Sequence, residues 1–382
     1  MLKEVKKKIK ILFFNSRKYD FSTATLIEGL NELENKVDLK TTNLGSYARP
    51  DQVLSDEEVL DYANTRADIV ILGSNHYVDH DKFWRIKSKK IKKVYVDGWD
   101  TSQMCLYNKT PNKYLRLDFI FKMSLYLQDN SITNLYRIIA KKDYTIWSTF
   151  RSHFLVPHPY FHSSKNHTRI RDILFNIFYI NLHPKVFPFM VGIENRCQGE
   201  FNKYPSYMLS CMMNVDRATE RKKVLNLLKS MNLPNSFIGL INEDEDAWLK
   251  MEQMYGSDPT IPKDLRGYAF HNDAYYHQIQ QSRACISLPG GSGFDFRMWE
   301  ILGKGSLLIS KRVMLQMPNP PIENKHYLAF DTIAELKGII QELYHSHDKI
   351  DEIRWAGYQY ARKYHTTRKR AEYFLNIVNS NK

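Results

Sequence analysis

The sequence predicts an α/β protein of two Rossmann-like domains with a cleft between them. Three observations predict it. Apolar runs of strand length alternate with segments of helical period. The alternation breaks once, over the aromatic-, His- and Pro-rich stretch 162–204, and then resumes. The chain has 382 residues, enough for two domains at about 100–200 residues each.

In the first block, residues 9–15 form a compact apolar run behind the basic lead-in Lys6–Lys8 and predict a buried strand. Residues 21–33 follow with apolar side chains at helical spacing, and Ser22 is placed to cap them. Strand 37–41, helix 56–65, strand 68–73 and strand 92–97 come next, then strands at 118–126 and 153–157. Strands separated by helices indicate parallel βαβ units. The expected first domain is 1–160, with 161–204 as connection and insertion.

The second block, 205–364, begins with strand 207–213 and the basic amphipathic helix 219–231. Strand 236–241, helix 273–282 and strand 284–288 follow. A glycine loop then leads into a helix through 302 and the strand 306–310. Helices at 332–345 and 349–364 close the block, and 368–378 predicts a terminal helix within the segment 365–382.

Composition narrows the class. The four cysteines, at 105, 197, 211 and 285, make neither a CxxC pair nor a zinc spacing with histidine, so free thiols are expected. No stretch approaches the roughly 20 apolar residues of a membrane helix. The basic N-terminus lacks the apolar core and cleavage site of a signal peptide. A cytoplasmic protein, peripheral at a membrane surface at most, is expected. The formal net charge of +13 points to anionic partners, an anionic membrane among them, but the cations are dispersed and name no single one. No nucleic-acid motif is present, so nucleic acid is not an expected partner.

The chemistry concentrates in 284–310. A buried strand runs into Pro289, Gly290, Gly291, Ser292 and Gly293, and a helix begins near Asp295 or Phe296. Glycines let backbone N–H groups approach a ligand closely, and a helix start favours phosphate. Arg297 and Glu300, at i and i+3, share one helix face. The arginine fork suits a diphosphate, and the carboxylate suits ribose hydroxyls. Met298 and Trp299 are assigned to the core.

The run Phe296-Arg297-Met298-Trp299-Glu300-Ile301-Leu302, with its flanking glycine loop and Gly303-Lys304-Gly305, resembles the donor segment of B-fold (GT-B) glycosyltransferases. The likeness is to the group 1 branch that includes spore-maturation CgeB-like proteins. It is good over residues 205–380 and weaker over 1–160. Two further segments are similar. Asp216–Arg221 follows the first strand of the second block, where such enzymes often carry a basic residue near the donor phosphates, here Arg217. Tyr95-Val96-Asp97-Gly98-Trp99-Asp100 resembles a strand end of the first domain.

The resemblance implies a nucleotide-sugar donor as co-substrate, no cofactor and no metal, and a glycan, lipid-linked or protein acceptor. It also implies a terminal helix packed back on the first domain. Eight positions before Glu300 stands Ser292, where many retaining members carry a second glutamate, so the stereochemical course stays open. A transferase that inverts needs a base, and Asp97 and Asp100 are the candidates, with His76, Asp79, His80 and Asp20 after other strands in reserve. Asp244-Glu245-Asp246 matches a metal-binding pattern of another glycosyltransferase fold but precedes a helical stretch, where acids suit the helix start. An epimerase of the same fold, or an inactive sugar-nucleotide-binding protein, remains the alternative.

Overall fold

A computed structural model describes residues 7–15, 20–45, 47–73, 80–98, 116–122, 186–213, 219–242, 266–268, 272–288, 296–313 and 317–380. The chain divides into two compact units. The first comprises Met1–Glu194, Met314–Pro320 and Tyr364–Lys382; the second comprises Asn195–Val313 and Pro321–Lys363.

The first unit is built on β1 (Ile9–Phe14), β2 (Val37–Thr41), β3 (Ile69–Gly73), β4 (Lys92–Asp97), β5 (Phe119–Lys122) and β6 (Val186–Pro188). All pairings are parallel, in the order β2-β1-β3-β4-β5-β6. A parallel sheet covered on both faces needs strands that are apolar throughout. β3, with every residue buried, shows this. Helices α1 (Phe21–Asn31), α2 (Asp56–Thr65) and α3 (His80–Trp84) connect these strands.

The cap of α1 is Asp20 rather than the expected Ser22. Asp20 Oδ2 accepts from the Thr23 backbone N–H at 3.3 Å, and the Ser22 hydroxyl donates to the same oxygen at 2.9 Å. Because the helix begins at Phe21, Asp20 holds the N-cap position and Ser22 already lies in the first turn. α2 starts on a capping box, Ser55 with Glu58.

Strand β6 falls inside the stretch expected to be irregular connection. Three residues ending in proline carry no periodicity to read. Phe187 of β6 nonetheless packs against Phe121 of β5 in a tilted ring pair, centroids 5.9 Å apart. The compact first unit accordingly continues to Glu194. The expected strand 153–157 and the end of 118–126 lie outside the described residues.

The second unit holds β7 (Tyr207–Met213), β8 (Ser236–Asn242), β9 (Arg266–Tyr268), β10 (Ser282–Ser287), β11 (Leu307–Lys311) and β12 (Leu328–Phe330). These are also all parallel, in the order β12-β11-β10-β7-β8-β9. Relabelled from its own first strand, this is the doubly wound dinucleotide-fold order. Helices α4 (Thr219–Met231), α5 (Asn272–Gln280), α6 (Arg297–Gly303), α7 (Ile333–His345) and α8 (His347–Tyr364) complete it. Val224 and Leu228 of α4, Leu336 and Ile340 of α7, and Ile353 of α8 pack on the sheet core. Gly305 makes the turn from α6 into β11 at φ +80°, a backbone that a side chain would strain.

The terminal helix α9 (Thr367–Ser380) belongs to the first unit. Phe374 meets Phe121 with centroids 4.8 Å apart, and the Thr367 hydroxyl donates to Glu32 Oε1 at 2.9 Å. A Cβ at Gly29 of α1 would stand 2.1 Å from the Thr367 carbonyl oxygen, so the helices approach closely only because that position is glycine.

Candidate functional site

In open parallel sheets, ligands gather at the carboxyl ends of strands where the order reverses. In the second unit that point lies between β7 and β10, adjacent in the sheet although far apart in sequence. β7 ends at Met213 and β10 at Ser287. The expected donor loop therefore begins where the topology opens a site. Gly290, Gly291, Ser292 and Gly293 themselves, with Asp295 and Arg217, lie outside the described residues.

Arg297 and Glu300 are described, and they come together. Arg297 is the first residue of α6, one or two positions after the expected start at Asp295 or Phe296. Its guanidinium Nη1 donates to the Met212 carbonyl at the end of β7. Its central carbon lies 5.9 Å from the Tyr275 ring on α5. The Tyr275 hydroxyl donates to Glu300 Oε2 at 2.8 Å. One tyrosine thus braces both residues, and it fixes them on the shared face that the i, i+3 spacing predicts. Met298 and Trp299 are buried at 3% and 2% exposure, as core residues.

The neighbourhood is electropositive. The Cys211 thiol of β7 is pushed up to about 12 by burial, against the opposing pull of Arg297 and of Arg221 in the first turn of α4. Cys285 of β10 is likewise raised to about 12 by burial, with hydrogen bonds from Ser306 and Ser282 and the field of Arg297 opposing. Such thiols are inert at neutral pH. Cys197, Cys211 and Cys285 are all buried and in no disulfide. Arg297 thus stands at the end of β7, bonded to the Met212 carbonyl, and its fork suits an anion such as a diphosphate.

Two participants escaped the sequence. Tyr275 sits in a helix with no motif of its own, and only the contact of α5 with α6 gives it a role. Arg221 lies in the quoted run Asp216–Arg221, but its position relative to Arg297 depends on β7 and β10 being neighbours.

At the carboxyl end of β4, Asp97 is fully buried and pairs at 3.3 Å with the equally buried Lys122 Nζ of β5, its register partner. Proton abstraction needs a carboxylate within reach of the acceptor hydroxyl, and this one is engaged by a buried lysine. Asp100 lies outside the described residues, as do His76 and Asp79, and the side chain of His80 is not described. Asp20 is committed to capping α1. Asp244, Glu245 and Asp246 also lie outside the described residues.

The doubly wound sheet, with Arg297 bonded at the end of β7, is an α/β fold of the kind that opens a ligand site at its switch point. The C-terminal segment makes the class specific: residues 244–376 match the family described as "Glycosyl transferase-like". None of the curated protein sequences matches the chain. Among solved structures, an alpha-glucosyltransferase in complex with UDP-glucose and DNA containing an abasic site is 12% identical. The similarity covers 97% of this chain and 100% of that one at a TM-score of 0.57. Anabaena HepE in complex with UDP-glucose is 9% identical, with 97% and 100% covered and a TM-score of 0.54. At these identities the likeness is one of fold. The chain has the GT-B fold of two Rossmann-like units, and its residues 244–376 are glycosyl transferase-like.

Proposed function

We propose that the protein transfers a sugar from a nucleotide-sugar donor to a hydroxyl of a glycan, lipid-linked or protein acceptor, without a bound metal. The observation that carries this reading is the convergence of Arg297, Tyr275 and Glu300 beside the β7–β10 switch point, where the 290–293 glycine loop begins. In the reaction the acceptor oxygen bonds to the anomeric carbon and the bond from that carbon to the phosphate oxygen breaks. The nucleoside diphosphate leaves with that electron pair, and the acceptor proton passes to a base.

Arg297 and Arg217 stabilise the charge that develops on the leaving group, with the backbone of Gly290, Gly291, Ser292 and Gly293 cradling it. Glu300 holds the ribose hydroxyls. The base is assigned to Asp100, three residues beyond Asp97, the last residue of β4, whose carboxylate is paired to Lys122. A metal is unnecessary in this reading because arginines and backbone N–H groups offset the diphosphate charge. The reading also includes a cytoplasmic location and peripheral contact with an anionic membrane, supported by the net charge of +13.

The test is a thermal-shift panel of nucleotide sugars followed by assay of nucleotide release and transfer. UDP-sugars come first, because both structures compared above hold UDP-glucose. A donor that binds at the site raises the melting temperature by an amount set by its concentration relative to Kd, and the raise is smaller in Glu300→Gln. Interconversion of the free nucleotide sugar without release of nucleotide would sink transfer in favour of epimerisation. Binding with neither outcome would leave an inactive binding protein.

A further inference from the structure

We propose that the amino-terminal edge of the first sheet is the surface on which the protein docks to anionic phospholipid headgroups. The inference rests on the reading of the protein as peripheral to an anionic membrane, and it adds the surface. Because every strand pairing of that sheet is parallel, the segments that lead into its strands lie at one edge. Backbone bonds lace these lead-ins together: Ile9 N–H donates to Lys36 O at 2.9 Å, Asp68 N–H to Lys10 O at 2.8 Å, and Lys92 N–H to Asp68 O at 3.1 Å.

The lead-ins are basic. Lys7 and Lys8 precede β1, Lys36 precedes β2, Arg66 stands before β3, and Lys89 and Lys90 precede β4; all six are exposed. The nearby carboxylates are fewer than the cations and each is hydrogen-bonded or paired. Asp68 Oδ2 accepts from the Lys10 N–H at 2.8 Å, Asp118 Oδ2 accepts from the Lys93 N–H at 2.8 Å, and Glu34 pairs with Arg49 at 3.2 Å. A recess of about 310 Å³ opens among Lys7, Lys8, Lys90 and Lys92 at this edge, with Asp68 the one carboxylate on its lining, so four lysines outweigh one acid there.

The chemistry of the edge selects its partner. Leu44, Tyr47, Tyr204, Ile322 and Trp355 are the exposed large apolar side chains of the described residues, and none leads into a strand of this sheet. A single-stranded nucleic acid is held by aromatic stacking as well as charge, and the edge offers none. It likewise offers no apolar wedge for the acyl region. What it presents is a row of long, mostly lysine side chains, which suits the diffuse negative charge of a lipid surface. Each lysine adds attraction that fades within a Debye length, so docking is reversible and salt-sensitive. The edge lies opposite the carboxyl ends of β1 and β3, which docking leaves free.

The test is co-sedimentation of the full chain with vesicles, either of phosphatidylcholine alone or with about one-third phosphatidylglycerol, at about 0.1 M salt. The edge variant is K7E/K8E/K89E/K90E. A control of equal charge change, K223E/K229E/K325E/K337E, reverses exposed lysines of the second unit. Wild type and control should bind anionic vesicles alike. The edge variant should lose about tenfold or more in binding while keeping its melting temperature.

Two failures are distinguishable. If wild type does not prefer anionic vesicles, peripheral membrane contact itself is wrong. If wild type prefers them and the edge variant binds as the control does, the surface is wrong. If a single-stranded oligonucleotide binds wild type more tightly than the vesicles do, and the edge variant loses it, nucleic acid replaces lipid and the inference falls. None of these outcomes bears on donor binding, which the thermal-shift panel reads separately.

Discussion

The Tyr275 hydroxyl donates to Glu300 Oε2 at 2.8 Å, and the same ring lies 5.9 Å from the Arg297 guanidinium carbon. The carboxylate proposed for the ribose is therefore held before a ligand arrives, which lowers the ordering cost of binding. Glu300→Gln should weaken donor binding about tenfold with the fold intact, since a charge-assisted hydrogen bond becomes a neutral one. Tyr275→Phe, which removes only the brace, should weaken it by a smaller factor, about two- to fivefold. Calorimetric titration reads both, and an unchanged affinity for Glu300→Gln removes it from the donor site.

Arg297 has a structural bond as well as a proposed chemical one, because it donates to the Met212 carbonyl. Arg297→Ala should cost about 1–3 kcal/mol of stability through that orphaned carbonyl. It should also lower turnover by about 10²–10³ under saturating donor. Arg217→Ala should lower turnover too. Full turnover in both variants would refute the leaving-group role.

The Asp97–Lys122 pair is fully buried, so losing one partner leaves an uncompensated charge. Lys122→Met should destabilise the first unit by about 3–5 kcal/mol, and the double variant Asp97→Leu/Lys122→Met should recover much of it. Urea unfolding measures this. Asp100→Asn should leave stability unchanged and cut transfer by a factor of about 10²–10⁴. A stable Asp97→Asn protein that binds donor but does not transfer would return the base to Asp97.

His326 supplies a pH dependence. Burial, with Lys325 second, lowers its pKa from 6.5. Its Nδ1 accepts from the Ile322 N–H at 3.0 Å, and its ring stacks on Tyr360 at 4.1 Å. The folded state prefers the neutral ring, whereas the unfolded chain takes up a proton near 6.5. Stability is therefore full above pH 6.5 and is lost as pH falls from there toward the lowered folded value. In His326→Asn, which keeps an acceptor for Ile322, this loss should shrink. Equal slopes of unfolding free energy against pH in both proteins would exclude His326 as its source.

Chelation tests the metal-free reading directly. Transfer should survive EDTA, and nucleotide release with it. Loss of activity restored by Mn²⁺ would revive Asp244-Glu245-Asp246 as ligands.

The sequence by itself determined the class of fold and most of its elements, because apolar period is a local property. Helix 56–65 and strands 37–41, 92–97 and 207–213 stand in the structure with the bounds read from sequence. The pairing of Arg297 with Glu300 was legible for the same reason, since a helix turn fixes i, i+3 neighbours. The three-residue strands β6, β9 and β12 were not, being too short to show a period. Their pairing comes from neighbours distant in sequence.

Only the tertiary structure decided what those residues face. It set β7 beside β10, so that Arg297 reaches Met212, and laid α5 against α6, so that Tyr275 braces Glu300. It also put Lys122 against Asp97 through strand register and turned a candidate base into a buried ion pair. Each is a contact between segments far apart in sequence, and which segments become neighbours depends on the packing of the whole sheet rather than on any local pattern.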